Sequence, residues 1–145
     1  MSTREVGLRY PTALWLSGRG PCIAMSCTEE SEARQVGHAL LQQKTGVLIT
    51  YRSAMDLIQN APNGNVAMVI LAGRECPMEM QQVFGWLKRR HPHCPVAVIA
   101  DTGAGEEELA ARIGGAIFMT RPLYEEQWSA LLTGAVARGL QGNVL

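Results

Sequence analysis

Apolar residues in this chain fall into short runs separated by amphipathic stretches. The runs are "CIAMSC" (22–27), "GVLITY" (46–51), "VAMVILA" (66–72), "PVAVIA" (95–100) and "AIFMT" (116–120). Their length and β-branched content predict strands. The stretches between them repeat at helical spacing. In 29–43, Ala33, Val36, Gly37 and Leu40 share one face; in 53–61, Ala54, Leu57, Ile58 and Ala61 do. In 77–91 the inward set is Met80, Val83, Phe84 and Leu87. Over 123–139 it is Tyr124, Trp128, Leu131, Leu132 and Ala135. The stretch 105–115 opens on acids and closes on glycines, as helices do. Ser53 and Asp56 have the spacing of a helix-start cap, and Lys88, Arg89 and Arg90 suit the end of a helix.

Five strands alternating with five helices predict an α/β fold with a doubly wound, five-stranded parallel sheet. Strands that are apolar throughout fit a sheet covered on both faces. "TALWLS" (12–17) stands outside the repeat and is expected to add a strand on the sheet edge; the rival arrangement makes it the first strand and displaces 22–27. The expected division is an N-terminal extension over 1–20, one domain over 21–139, and a loose tail or linker start over 140–145.

Bulk composition narrows the function classes. The 145 residues suit one core, and 47% hydrophobic with 18% charged residues indicates a globular chain. Thirteen acids balance thirteen bases, so no basic excess favours direct nucleic-acid binding. No apolar run approaches the ~20 residues of a membrane span. The N-terminus lacks the apolar core of a signal peptide, and a cytoplasmic location is expected. Cys22, Cys27, Cys76 and Cys94 form no C-x-x-C pair and are expected to be reduced thiols near the core.

Several local marks carry a family resemblance. Arg121-Pro122 follows the fifth strand of the repeat, Phe118 lies in its middle, and Gly114-Gly115 precede it. Pro77 comes shortly after the third strand. With the order of elements, residues 21–139 resemble the receiver domain of bacterial response regulators. The resemblance implies the flavodoxin-like receiver topology and a phosphorylation site at the C-terminal ends of the strands. It assigns the Mg²⁺-binding acids to Ser26 and Cys27. The acceptor aspartate falls at Gly73 if Pro77 sets the register, or at Ala72 if the strand does. The hydroxyl position becomes Ala100 and the lysine becomes Arg121. Ser, Cys and Gly cannot supply the carboxylate oxygens that Mg²⁺ takes. The resemblance is therefore to an atypical, or pseudo-, receiver without the acceptor. No metal, cofactor or catalytic residue is expected. Its implied work is phosphorylation-independent contact with a protein partner, a second copy or a downstream effector domain in signal transduction or transcription control.

The receiver resemblance also implies an interface over the fourth helix, fifth strand and fifth helix. Candidate residues there are Arg112, Phe118, Tyr124, Glu125 and Trp128; the aromatics also fit core packing, Trp128 most of all. Trp86 is a second candidate contact. Around the strand ends, Glu29 and Glu30 fit a helix start better than a metal site. Glu75 is expected to be a solvated loop acid, its rival role being a fixed negative charge beside the acceptor position. Asp101 reads as a turn residue, and Arg121 as its ion-pair partner or that of Glu29. Two other functions are open. One is a small-molecule sensor that binds an anion or nucleotide at this edge through Arg121. The other is a cysteine-based phosphotransfer enzyme using Cys27 and Arg34, whose C-x6-R loop lacks glycines and carries Glu29, Glu30 and Glu32. Those acids work against a thiolate. "HPHC" (91–94) reads as a connecting loop, His38 stands alone, and "GAG" (103–105) is too short for a phosphate loop.

Overall fold

The computed structural model describes residues 4–6, 13–17, 21–43, 46–62 and 66–142, with side chains between 21 and 135. Seven strands form one sheet: β1 (Arg4–Val6), β2 (Ala13–Ser17), β3 (Cys22–Cys27), β4 (Gly46–Tyr51), β5 (Val66–Ala72), β6 (Val96–Ala100) and β7 (Ile117–Thr120). Five helices connect or follow the last five strands: α1 (Glu30–Gln42), α2 (Ala54–Asn60), α3 (Pro77–Arg90), α4 (Gly105–Ile113) and α5 (Glu125–Gly142). The spatial order is β1-β2-β4-β3-β5-β6-β7. From β4 to β7 every pairing is parallel, which gives the expected five-stranded doubly wound sheet. The run expected to add a strand supplies β2, which pairs antiparallel with β4, and β1 pairs antiparallel outside it, so β1 and not β2 is the edge. Nothing in the three-residue run "REV" predicted β1, because so short a segment has no readable period.

Alternation along the strands divides the core between two faces. Ile23 and Met25 of β3, with Met68 and Ile70 of β5, meet Val36, Leu40, Trp128 and Leu132 from α1 and α5. Ala24, Val69, Leu71 and Val98 meet Leu57, Met80, Val83 and Ala111 from α2, α3 and α4. All seven residues of β5 are buried, as befits a central strand. Ser53 Oγ accepts the Asp56 N–H at 3.1 Å and starts α2 as its spacing predicted.

The aromatic assignments change in part. Tyr124 is 68% exposed, because it precedes α5 and its N–H is held by Gln127 Oε1 at 2.8 Å. Trp128 is interior, its indole N–H donating to Gln35 Oε1 at 2.8 Å, so it is no surface contact. Trp86 is also buried, edge-on to His91 with ring centroids 5.5 Å apart, while Phe84 is only partly covered. The last helix runs on to Gly142, three residues into the segment expected to be a tail; residues 143–145 lie outside the described ones.

Candidate functional site

Strand order reverses around β3, and the crevice beyond the strand ends at such a switch point is where α/β sheets present ligands. Ser26 and Cys27 close β3, Gly73 follows β5, Asp101 follows β6 and Arg121 follows β7. Ala72 and Ala100 are the last residues of their strands and are buried. The two candidate acceptor positions differ in direction. Ala72 packs into the core, whereas a Cβ on Gly73 would point at Glu75 Oε2, 2.6 Å away, with Ser26 Oγ at 3.6 Å.

That space is filled by the side chain of Glu75. It is 4% exposed, so it is an interior acid and not the solvated loop residue expected. Its carboxylate accepts Ser26 Oγ–H at 2.5 Å and the Gly73 N–H at 3.1 Å. Burial pushes its pKa up from the ordinary value; the Ser26 and backbone hydrogen bonds pull the other way. Arg74 supplies the turn that folds Glu75 inward: it sits at φ 55°, in the left-handed region.

Arg74 itself bridges three loops. Its guanidinium donates to Glu29 at 2.6 Å, Thr28 Oγ1 at 2.9 Å and Asp101 at 3.0 Å. Arg121 lies deeper and takes a different partner from those expected. It donates to both carboxylate oxygens of Glu32, at 2.8 and 3.1 Å, in a pair whose side chains are 10% and 9% exposed. It also donates to the carbonyls of Ala72 at 2.6 Å and Ile99 at 3.3 Å. Asp101 is a distant second partner at 3.6 Å, and Glu29 belongs to Arg74. Glu30 faces outward to Arg34. No group of three potential metal ligands occurs among the described residues.

The structure thus brings together Ser26, Cys27, Gly73, Ala100 and Arg121, and adds Glu32, Arg74 and Glu75. Glu32 was legible in part: it stands four residues before Val36 on the inward face of α1. An acid there needs a cation. Arg74 carried no signal, because its role depends on a loop conformation.

Cys27 is a poor nucleophile. Its pKa is pushed up to about 11, by burial first and then by Glu32, Glu75 and Glu30; burial alone does the same to Cys22. Cys76 is exposed. Iodoacetamide at neutral pH is expected to alkylate Cys76 first and to spare Cys27 until the pH is raised or the chain unfolds. Rapid labelling of Cys27, read by peptide mass mapping, would return the cysteine-enzyme reading to contention. Beside the site lies a pocket of ≈ 160 Å³ lined by Glu75, Met80, Val98, Ala100, Asp101 and Ala104 among others. It is smaller than the 300–1,000 Å³ typical of small-molecule sites.

No family model and no curated protein sequence matches the chain. Solved structures do. The chemotaxis protein CheY4 of Vibrio cholerae aligns with TM-score 0.64 at 13% identity, over 80% of this chain and 98% of that one. The HemR receiver domain of Leptospira biflexa gives 0.63 at 13%, over 81% and 94%. An uncharacterized protein from Neptuniibacter caesariensis gives 0.69 at 14%, over 85% and 92%. The fold is that of a receiver domain. At these identities the likeness concerns the backbone alone. In receiver terms β3 to β7 are the five strands of the fold, and the β1-β2 pair is added outside its second strand.

Proposed function

We propose that this receiver-fold domain regulates by protein–protein contact and without phosphorylation. The observation that carries the reading is the Glu75 carboxylate, which is held by Ser26 and Gly73 in the space a side chain at 73 would take. It serves as a resident negative charge at the position where the receiver resemblance puts the acceptor. Arg74 gives that edge a resident cation, and Arg121 is committed to Glu32. Neither a metal nor an incoming phosphoryl group is needed to fix the loops. Incubation with Mg²⁺ and acetyl phosphate is expected to leave the intact mass unchanged. A hydroxylamine-sensitive acyl phosphate on any carboxylate would overturn the proposal.

The contact face we infer is α4, β7 and the start of α5. Leu109, Ile113, Ile117 and Tyr124 are exposed there, at 62, 78, 40 and 68%, whereas α4 buries only Ala111. Arg112, Phe118 and Glu125 lie on or beside this face. Five carboxylates, Glu106, Glu107, Glu108, Glu125 and Glu126, crowd the first turns of α4 and α5. The one base on the face, Arg112, is already paired with Glu108. A second copy docked through the same face therefore offers these acids no free counter-charge, and a basic protein partner fits better than a symmetric homodimer. Light scattering is expected to give a monomer at every concentration. A dimer dissociated by Ile113→Glu would replace the partner with a second copy.

The sensor reading loses its anchor, since Arg121 has no free donor edge for an anion and the neighbouring pocket is small for a nucleotide.

A further inference from the structure

The opposite end of the sheet carries a different group. The last turn of α3 presents Lys88, Arg89 and Arg90, followed by His91 and His93. None of the three cations has a hydrogen bond or ion pair among the described residues. Every other ion pair described lies elsewhere, at the strand-end loops or along α1 and α4. Basic residues at a helix C-terminus suit the dipole, but that accounts for charge and not for shape.

The shape is a pocket of ≈ 180 Å³ between the ends of α2 and α3. Gln59 and Pro62 line one side, and Trp86, Arg90 and His91 the other. No carboxylate is among its described lining residues. The indole of Trp86 is buried and held edge-on to the His91 ring, so the wall is fixed. Arg90 is exposed and its guanidinium has no hydrogen-bond or ion-pair partner among the described residues, so its planar fork is available to an oxyanion. Gln59 adds an amide donor and His91 a ring N–H. Lys88 and Arg89 stand outside the pocket and add a positive field that favours a dianion over a monoanion.

We propose that this pocket binds a small phosphate monoester or inorganic phosphate, with Arg90 and His91 as its principal donors. The site is separate from the C-terminal edge and does not depend on the function proposed above. Its size excludes a whole nucleotide.

Burial, and then the Arg90 charge, hold the His91 pKa below its ordinary value. A bound dianion would reverse this and raise it. The experiment is an NMR titration of the full chain with inorganic phosphate and phenyl phosphate at constant ionic strength, with acetate as control. Saturable shifts at Gln59, Trp86 and His91 are expected, with an upward move in the His91 titration. Arg90→Ala is expected to weaken binding about tenfold, the loss of one charged hydrogen-bonding group. Arg89→Ala, outside the pocket, should weaken it far less. Both are surface changes, and an unchanged melting temperature verifies folding. Equal weakening by the two variants would reduce the site to diffuse charge and overturn the proposal. So would shifts that do not saturate, or acetate binding as tightly as phosphate.

Discussion

Glu32→Ala is expected to lower stability by about 3–5 kcal/mol, because it leaves the Arg121 guanidinium buried without its carboxylate. At a few degrees per kcal/mol this is a fall of roughly 10 °C in melting temperature. The pair is bidentate, nine-tenths buried, and joins α1 to the loop after β7. Single loss is costly because the remaining charge keeps its desolvation penalty and loses its Coulomb partner. Replacing both partners with apolar groups tests that reasoning. Glu32→Leu with Arg121→Met should be less damaging than the sum of the single changes. A residual loss remains, about 1 kcal/mol for each of the Ala72 and Ile99 carbonyls that Arg121 also satisfies. Thermal melts of the four proteins give the coupling directly. Strict additivity would mean that the pair contributes nothing as a pair.

Glu75→Gln should have the opposite sign at neutral pH. Glutamine keeps the shape, and its amide can serve both Ser26 and the Gly73 N–H. The native carboxyl has its pKa raised above the ordinary value near 4.5, with burial as the main cause and Glu79 as a minor one. The folded state therefore binds its proton more tightly than the unfolded state does. Its contribution is fully present below the unfolded pKa and is lost as pH rises through the folded pKa. The variant should match the native protein near pH 4 and melt above it at pH 8, by roughly 2–4 °C per kcal/mol recovered. A variant less stable than native at pH 8 would show that the ionised carboxylate stabilises the loop. A stabilising replacement would mean that the native chain keeps a buried charge against its own stability, which is the pattern expected where charge serves function. Partner binding should then weaken in the same variant that melts higher.

The two acids differ in how far they were readable. Glu32 lies four residues before Val36 on a helical face, so its burial was readable from spacing, although it was read only as an acid of the Cys27 loop; its partner was hidden. Glu75 sits in a loop, where no period exists, and composition favoured solvent. The aromatic residues show the same limit. Trp128, in step with Leu132 and Ala135, was placed in the core as found. Tyr124 follows the same spacing but precedes the helix, so the spacing did not apply to it. A boundary error of two residues was enough to turn its ring outward.

Hydrophobic periodicity by itself determined the five strand–helix units, their order and the parallel sheet. It also determined that no aspartate stands at the end of β5. These are local properties, set by residues a few positions apart. Tertiary structure alone decided what fills the space beside Gly73 and which cations are already engaged. Ser26 meets Glu75 across 49 positions, and Arg121 meets Glu32 across 89. Such contacts exist because parallel strands deliver all their following loops to one edge. Burial there is fixed by how those loops pack, and a residue's neighbours in sequence do not carry that information.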